Sequence, residues 1–89
     1  MSAEKDYMGR VAALGCILCR SFLDIADSPA ELHHIFDSSE RNNWLVIGLC
    51  PAHHRGPIGF HGLGQRAFER VYSTTETKLL ALTIALLNR

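Results

Sequence analysis

Residues 44–55 read Trp-Leu-Val-Ile-Gly-Leu-Cys-Pro-Ala-His-His-Arg, an apolar run that leads directly into side chains of the types that bind metals. The apolar run predicts a buried strand. The proline after Cys50 favours a helical first turn at that point. Two residues separate Cys50 from His53, so both side chains can face one ion from a single turn. This stretch therefore predicts a strand that ends in a metal-binding turn.

All three cysteines and all five histidines lie within residues 16–61. Cys16 and Cys19 form a second pair separated by two residues. Two such pairs in one short chain are typical of tetrahedral zinc. The predicted structural zinc site therefore has four ligands: Cys16, Cys19, Cys50 and His53. The alternative is that these cysteines are ordinary small apolar residues of a core.

The length of the chain favours a metal as a source of stability. Its 89 residues predict one domain, residues 1–89, with a small hydrophobic core. Three cysteines leave one unpaired in any disulfide scheme. No apolar leader follows a basic start, and the apolar stretch 79–87 is too short to span a bilayer. We therefore expect a reducing, cytoplasmic setting and no membrane contact.

The charge of the chain gives no nucleic-acid signature, because nine basic residues balance nine acidic ones. Attraction for phosphate would have to come from a bound metal and a few arginines. Three arginines near the cysteines and histidines are candidates for contact with a phosphate backbone: Arg41, Arg55 and Arg66. A solvated surface role is the equal alternative for each of them.

The periodicity of the sequence predicts an α+β domain. The expected elements, in chain order, are a helix from Ser2 to about Leu14 ended by Gly15, a knuckle at 16–19, a loop at 21–30, strands at 31–35 and 44–49 joined by a turn at 37–43, a helical turn from Cys50, a loop at 56–64, a helix at 63–72, and a helix from Thr74 or Thr75 to about Asn88. The last helix is apolar nearly all round. It is expected to cover the hairpin, and a dimer interface is the alternative.

Four histidines are left over beside the predicted zinc site: His33, His34, His54 and His61. Adjacent side chains on a strand point to opposite faces, so His33 and His34 cannot serve one metal equally. A division of labour resolves this, with one histidine as a metal ligand and the other in proton chemistry. A metal on three histidines keeps open positions, which phosphodiester cleavage needs.

These residues also carry a family resemblance. Residues 31–35, Glu-Leu-His-His-Ile, together with 44–55, resemble the pattern of HNH endonucleases. The stretches 44–55, 60–64 and 67–70 are similar to the phage recombination-enhancement (Ref) nucleases, whose members cut DNA in a RecA-dependent way. The similarity covers about residues 14–72. It implies a small zinc-stapled ββα-metal (HNH) domain with flanking N- and C-terminal helices. It further implies a phage or prophage origin, a bacterial host cell and a link to DNA recombination.

The resemblance also implies roles for individual residues. His34 corresponds to the general base that activates water. The implied ligands of a catalytic zinc, magnesium or manganese ion are His33, His54 and His61. Seven positions separate His54 from His61, so the intervening Gly-Pro-Ile-Gly would have to loop out and bring His61 back. The asparagine that braces the base would be Asn43 or Asn42, and a plain turn is the equal alternative for this pair. Glu31 is either a partner that orients a ligand histidine or an exposed edge residue.

The predicted function is metal-dependent hydrolysis of DNA with low sequence specificity, with the RecA filament as a candidate partner. The first alternative is a zinc-binding module that contacts DNA or protein without chemistry. The second is an interaction domain that dimerises through the last helix. Surplus histidines favour the enzyme, because a scaffold needs only four ligands.

Overall fold

The computed structural model describes residues 2–35 and 41–89. Within them the chain forms the expected small α+β arrangement, which has six helices and one two-stranded sheet. The elements, in chain order, are α1 (Ala3–Ala13), α2 (Ile17–Phe22), β1 (Glu31–His34), β2 (Val46–Leu49), α3 (Pro51–His54), α4 (Phe60–Leu63), α5 (Gln65–Tyr72) and α6 (Glu76–Leu87).

Helix α1 begins and ends where the sequence predicts. The side chain of Ser2 caps it by accepting a hydrogen bond from the backbone N–H of Lys5 at 3.1 Å. The helix stops before Gly15, whose φ of +77° favours glycine. A Cβ at this position would lie 2.8 Å from the carbonyl oxygens of Ala26 and Ser28. Gly15 therefore ends the helix and lets the segment before β1 pack closely.

The sheet is an antiparallel pair of β1 and β2 in which Glu31 faces Leu49 and His34 faces Val46. β2 is wholly buried because its apolar side chains form the centre of the core. It is shorter than the predicted strand 44–49, since Leu45 belongs to a turn in which its N–H donates to the carbonyl of Asn42. Residues 36–40 of the predicted connection lie outside the described residues.

Two short helices were not predicted. The knuckle at Cys16 continues into α2, which reaches Phe22, so the expected loop 21–30 begins later than predicted. The loop expected at 56–64 contains α4, and that part of the prediction was wrong. Its glycines indicate a loop from local propensity, but Phe60 and Leu63 pack against the buried core and stabilise a helical turn.

Helix α6 covers the hairpin, as expected. Thr75 caps it by accepting a hydrogen bond from the N–H of Lys78 at 3.0 Å. Leu79 and Leu80 join the core, whereas Ile84 stays 44% exposed. Dimerisation through this helix remains a prediction. None of the described helices is both long and apolar enough to cross a membrane.

Candidate metal centres and active site

Two candidate metal-binding groups lie on either side of helix α3. The first contains Cys16 at the start of α2, Cys19 in its first turn, Cys50 before α3 and His53 on α3. Their ligand atoms all lie within 4.8 Å of one another. The hairpin and α3 thus bring the predicted pair Cys16 and Cys19 together with the predicted pair Cys50 and His53. Cys16 and Cys19 are buried, and Cys50 is half-buried.

The distances in this Cys3His cluster match the edges of a zinc tetrahedron. Zinc–ligand bonds of normal length give S–S edges of about 3.8 Å and S–N edges of about 3.6 Å. The Sγ atoms of Cys19 and Cys50 are 3.8 Å apart. From His53 Nδ1, the distances to the Sγ atoms of Cys16, Cys19 and Cys50 are 3.7, 3.5 and 3.2 Å. The three cysteines are free thiols, so no disulfide competes with this arrangement.

Burial disfavours the charged, metal-binding form of the cysteines in this cluster unless a cation lies beside them. Burial raises the pKa of the Cys16 thiol to about 12, so the thiolate is costly there without a positive charge beside it. Burial also lowers the pKa of His53, which favours the neutral imidazole that binds metals. Three thiols and one neutral imidazole at tetrahedral spacing form a donor set that fits a metal ion such as zinc.

The second group, the histidine cluster, contains His33 on β1, His54 on α3 and His61 on α4, again with ligand atoms within 4.8 Å. The ring centroid of His61 lies 4.8 Å from that of His54 and 5.4 Å from that of His33. The turn before α4 returns His61 to this point because Gly59 packs directly on α3. A Cβ at Gly59 would lie 2.6 Å from the carbonyl oxygen of Ala52. The looped-out path expected for this segment is therefore present.

Carboxylates hold two rings of the histidine cluster. His33 Nε2 lies 2.7 Å from Glu76 Oε2, with both side chains buried. His54 Nδ1 lies 2.9 Å from Glu31 Oε1. A carboxylate only accepts hydrogen bonds, so each of these ring nitrogens carries the proton. Nδ1 of His33 and Nε2 of His54 are then left as the ligand atoms.

Glu31 orients a ring of the cluster and is not merely an edge residue. The hydrogen bond from His54, then the charge and hydrogen bonds of Arg55, lower the pKa of Glu31 and keep it ionised. Glu76 was not predicted from the sequence. Its only signal was an acid at the start of an apolar helix, and acids are common at that position because of the helix dipole. Its backbone N–H donates to Glu69 Oε2 at 2.9 Å.

His34 lines the same cavity as the histidine cluster. This cavity has a volume of about 200 Å³ and is lined by Leu32, His33, His34, Arg41, His54 and His61. The ring of His34 is buried, and its Nε2 lies 2.9 Å from Oδ1 of Asn43. His33 contacts α6 instead, so the two adjacent histidines have different partners, as the alternation of the strand predicts. Among residues 2–35 and 41–89, the side chain that holds the His34 ring is thus the amide of Asn43, whereas His33 and His54 are held by carboxylates.

The two asparagines have separate contacts. The side chain of Asn42 accepts a hydrogen bond from the N–H of Trp44 at 2.9 Å, which is the plain turn expected as one alternative. Asn43 contacts His34.

The three candidate arginines lie in different places. Arg41 lines the cavity, whereas Arg55 forms an ion pair with Glu31 at 2.9 Å. Arg66 lies exposed on α5.

The comparison with protein families agrees with the resemblance seen in the motifs. A family model described as "Recombination enhancement, RecA-dependent nuclease" matches residues 1–88. No curated protein and no solved structure matches the chain significantly. The match covers nearly the whole chain, including both metal-binding groups. The chain therefore belongs to the family of recombination-enhancement, RecA-dependent nucleases.

Proposed function

We propose that the chain is a metal-dependent endonuclease of the HNH type, which hydrolyses phosphodiester bonds of DNA with His34 as the general base. One observation carries the proposal. His34 borders the 200 Å³ cavity that the histidine cluster lines, and a hydrogen bond to Asn43 holds its ring. A base beside a cation site is the pair of groups that phosphodiester hydrolysis needs.

The arrangement of elements supports the HNH assignment. The antiparallel pair β1 and β2 leads directly into α3, which makes a ββα unit. His33 lies on the first strand of this unit and His54 on its helix, so the unit itself holds two of the three cluster histidines. The Cys3His cluster joins α2 to the start of α3 and thereby fixes the position of His54.

The chemistry follows from the side chains around the cavity. His34 takes a proton from a water molecule, whose oxygen forms a bond to phosphorus while the bond from phosphorus to the 3′ oxygen breaks. A divalent ion on His33, His54 and His61 would stabilise the charge on the phosphate and on the leaving oxygen. Zinc, magnesium and manganese are candidates, and histidine donors suit zinc and other transition metals best. Glu76 and Glu31 keep their histidines in the tautomer that binds metal.

The size and charge of the site bear on the substrate. At about 30 Å³ for each water, the cavity has room for a phosphate group and a few waters. Arg41 on its wall can contact a phosphate oxygen. Phosphate contacts carry no sequence information, so we propose cleavage with little sequence preference. The family's dependence on RecA makes RecA-coated DNA the substrate to test first.

The substitution His34→Ala tests the proposal. We expect cleavage of RecA-coated DNA to fall by about 10²- to 10⁴-fold, the usual contribution of a general base. Metal content should match that of the wild type, because His34 belongs to neither metal-binding group. The variant should stay folded but melt somewhat lower, since a buried ring and its hydrogen bond to Asn43 are lost. Unchanged cleavage by this variant would refute the assignment of the base. A wild-type protein that holds one zinc and cuts no DNA with RecA and any of the three metals would instead be a non-catalytic zinc module.

A further inference from the structure

The side chain of Asn43 bridges His34 to the first helix. Its amide nitrogen Nδ2 donates a hydrogen bond to Glu4 Oε2 at 3.1 Å. Its oxygen Oδ1 lies 2.9 Å from His34 Nε2. Three residues that are far apart in the sequence, on α1, in the turn before β2 and on β1, therefore form one chain of hydrogen bonds that ends at the proposed general base.

The direction of this chain follows from its outer end. A carboxylate has no proton to donate, so the NH2 group of Asn43 must face Glu4. The amide oxygen of Asn43 then faces His34 and can only accept. Nε2 of His34 must therefore carry the proton, and the lone pair of the neutral ring is on Nδ1. An amide without such a partner could turn over and donate to Nε2, which would favour the opposite tautomer.

We propose that Glu4 is a positioning residue that selects the tautomer of His34 through Asn43. The inference rests on the proposed function in one respect, namely that His34 is the base. Nδ1 is then the atom that takes the proton from water, and Glu4 ensures that it is unprotonated before the reaction. The helix that precedes the cysteine knuckle thus becomes part of the catalytic arrangement.

The packing of α1 explains how a surface carboxylate can have this effect. Ser2 caps the helix and Glu4 lies in its first turn, so the cap fixes the backbone that carries Glu4. The ring of Tyr7 packs on Trp44 with centroids 5.0 Å apart, which joins α1 to the turn that carries Asn43. Glu4 itself is exposed. Water therefore competes for its hydrogen bond, and we expect a moderate effect rather than complete loss of activity.

The tautomer can be measured directly by nitrogen-15 NMR of the histidine rings in the zinc-loaded protein, at a pH where His34 is neutral. The signals of His34 are those absent from the spectrum of His34→Ala. We expect Nε2–H alone in the wild type and a mixture of tautomers in Glu4→Ala. Glu4→Gln should also give a mixture, because its amide can either donate or accept although it fills the same space. A purely structural role would be preserved by glutamine.

The matched control is Asp6→Ala. Asp6 is the second acid in the first turn of α1, so its removal has a similar effect on the helix dipole. We expect the tautomer of His34 to be unchanged in this variant. The melting temperatures of Glu4→Ala and Asp6→Ala should be similar, which would separate the tautomer effect from a general loss of helix stability.

Kinetics provide the second measurement, on RecA-coated DNA. Because only some molecules would hold the productive tautomer, we expect kcat of Glu4→Ala to fall about three- to fivefold with KM unchanged. In an Asn43→Ala background the same substitution should have no further effect, since Glu4 acts through Asn43. A further loss of activity in that background would overturn the proposed route.

The two measurements separate this inference from the proposed function. A single Nε2–H tautomer in Glu4→Ala and Glu4→Gln would overturn the role of Glu4, whatever the activity of the protein. A mixed tautomer with unchanged kcat would instead show that His34 is not the base, and the catalytic part of the inference would be wrong. A mixed tautomer together with a lower kcat supports both.

Discussion

The Cys3His cluster and the histidine cluster share helix α3 and differ in almost every other respect. The ligands of the first group are closed around one point at tetrahedral spacing. The second group has three histidines, and His61 is exposed beside a 200 Å³ cavity. A closed set of four ligands is typical of structural zinc, whereas three ligands beside open space are typical of a catalytic metal. The contrast is consistent with our proposal, in which a metal at the first site stabilises the fold and a metal at the second acts on the substrate.

The adjacent residues His53 and His54 explain how four residues of helix can supply both sites. Successive side chains of a helix point about 100° apart. His53 therefore turns to the cysteines, where it is buried, and His54 turns to His33, where Glu31 contacts it. Any metal-dependent ordering of α3 by the first site also fixes a ligand of the second. A metal in the Cys3His cluster should therefore strengthen metal binding at the histidine cluster, and the reverse effect should be equally large.

The largest expected effect is on the first site. Cys50→Ser removes one of four ligands, and metal binding in small zinc domains contributes about 10–16 kcal/mol to folding, as much as the whole stability of most domains. We expect the zinc-loaded variant to be unfolded or to melt far below the wild type. Thermal unfolding followed by circular dichroism measures this. The control is the metal-free wild type, which should unfold like the metal-free variant, because only the metal contribution differs. Equal melting of the two zinc-loaded proteins would contradict a structural metal.

A smaller effect is expected at the second site. His54→Ala should reduce the bound metal from two ions per chain to one after dialysis against zinc, while the fold is retained by the Cys3His cluster. Elemental analysis and circular dichroism measure the two quantities. Cleavage of DNA should fall at least as far as in His34→Ala. If wild type and variant both retain a single zinc, the histidines hold no metal tightly, and a weakly bound ion or a non-catalytic module would have to be considered.

The contrast between the two sites also explains what could be predicted from the sequence. The ligands of the Cys3His cluster are two pairs with local spacing, so the motif alone indicated which residues would meet. The histidine cluster needed the family resemblance, because His61 reaches it only through a close contact of Gly59 with α3. Helix α4 was missed for the same reason, since its stability comes from tertiary packing rather than local propensity.

The partners of the histidines were largely beyond sequence reasoning. Glu76 lies 43 positions after His33, and Glu4 lies 39 positions before Asn43. No periodicity relates such residues. They meet only because α6 and α1 both pack on the sheet. Glu31 was one of two alternatives in the sequence analysis, either a partner of a ligand histidine or an exposed edge residue, and it contacts His54.

The smallest effects should distinguish the two carboxylates of the histidine cluster. Glu76→Gln and Glu31→Gln both replace an acceptor-only group with an amide, which weakens the basicity of the histidine it contacts. Such partners typically contribute 10- to 100-fold to metal affinity. We expect about the upper end of this range for Glu76, which is buried with His33, and less for Glu31, which shares its charge with Arg55 and is partly screened by water. Competition with a chelator measures the zinc affinity of the second site in each variant and tests whether Glu76→Gln loses more affinity than Glu31→Gln.

Arg55→Ala is the matched control for this comparison, because it removes the other partner of Glu31 and leaves the hydrogen bond to His54 in place. Zinc affinity in this variant should equal or slightly exceed that of the wild type, since the carboxylate then interacts with His54 alone. Equal losses in Glu76→Gln and Glu31→Gln would contradict the view that burial determines the strength of each contact. Loss of the zinc of the Cys3His cluster in either variant would contradict the separation of the two sites, because neither carboxylate contacts a cysteine ligand in the described structure.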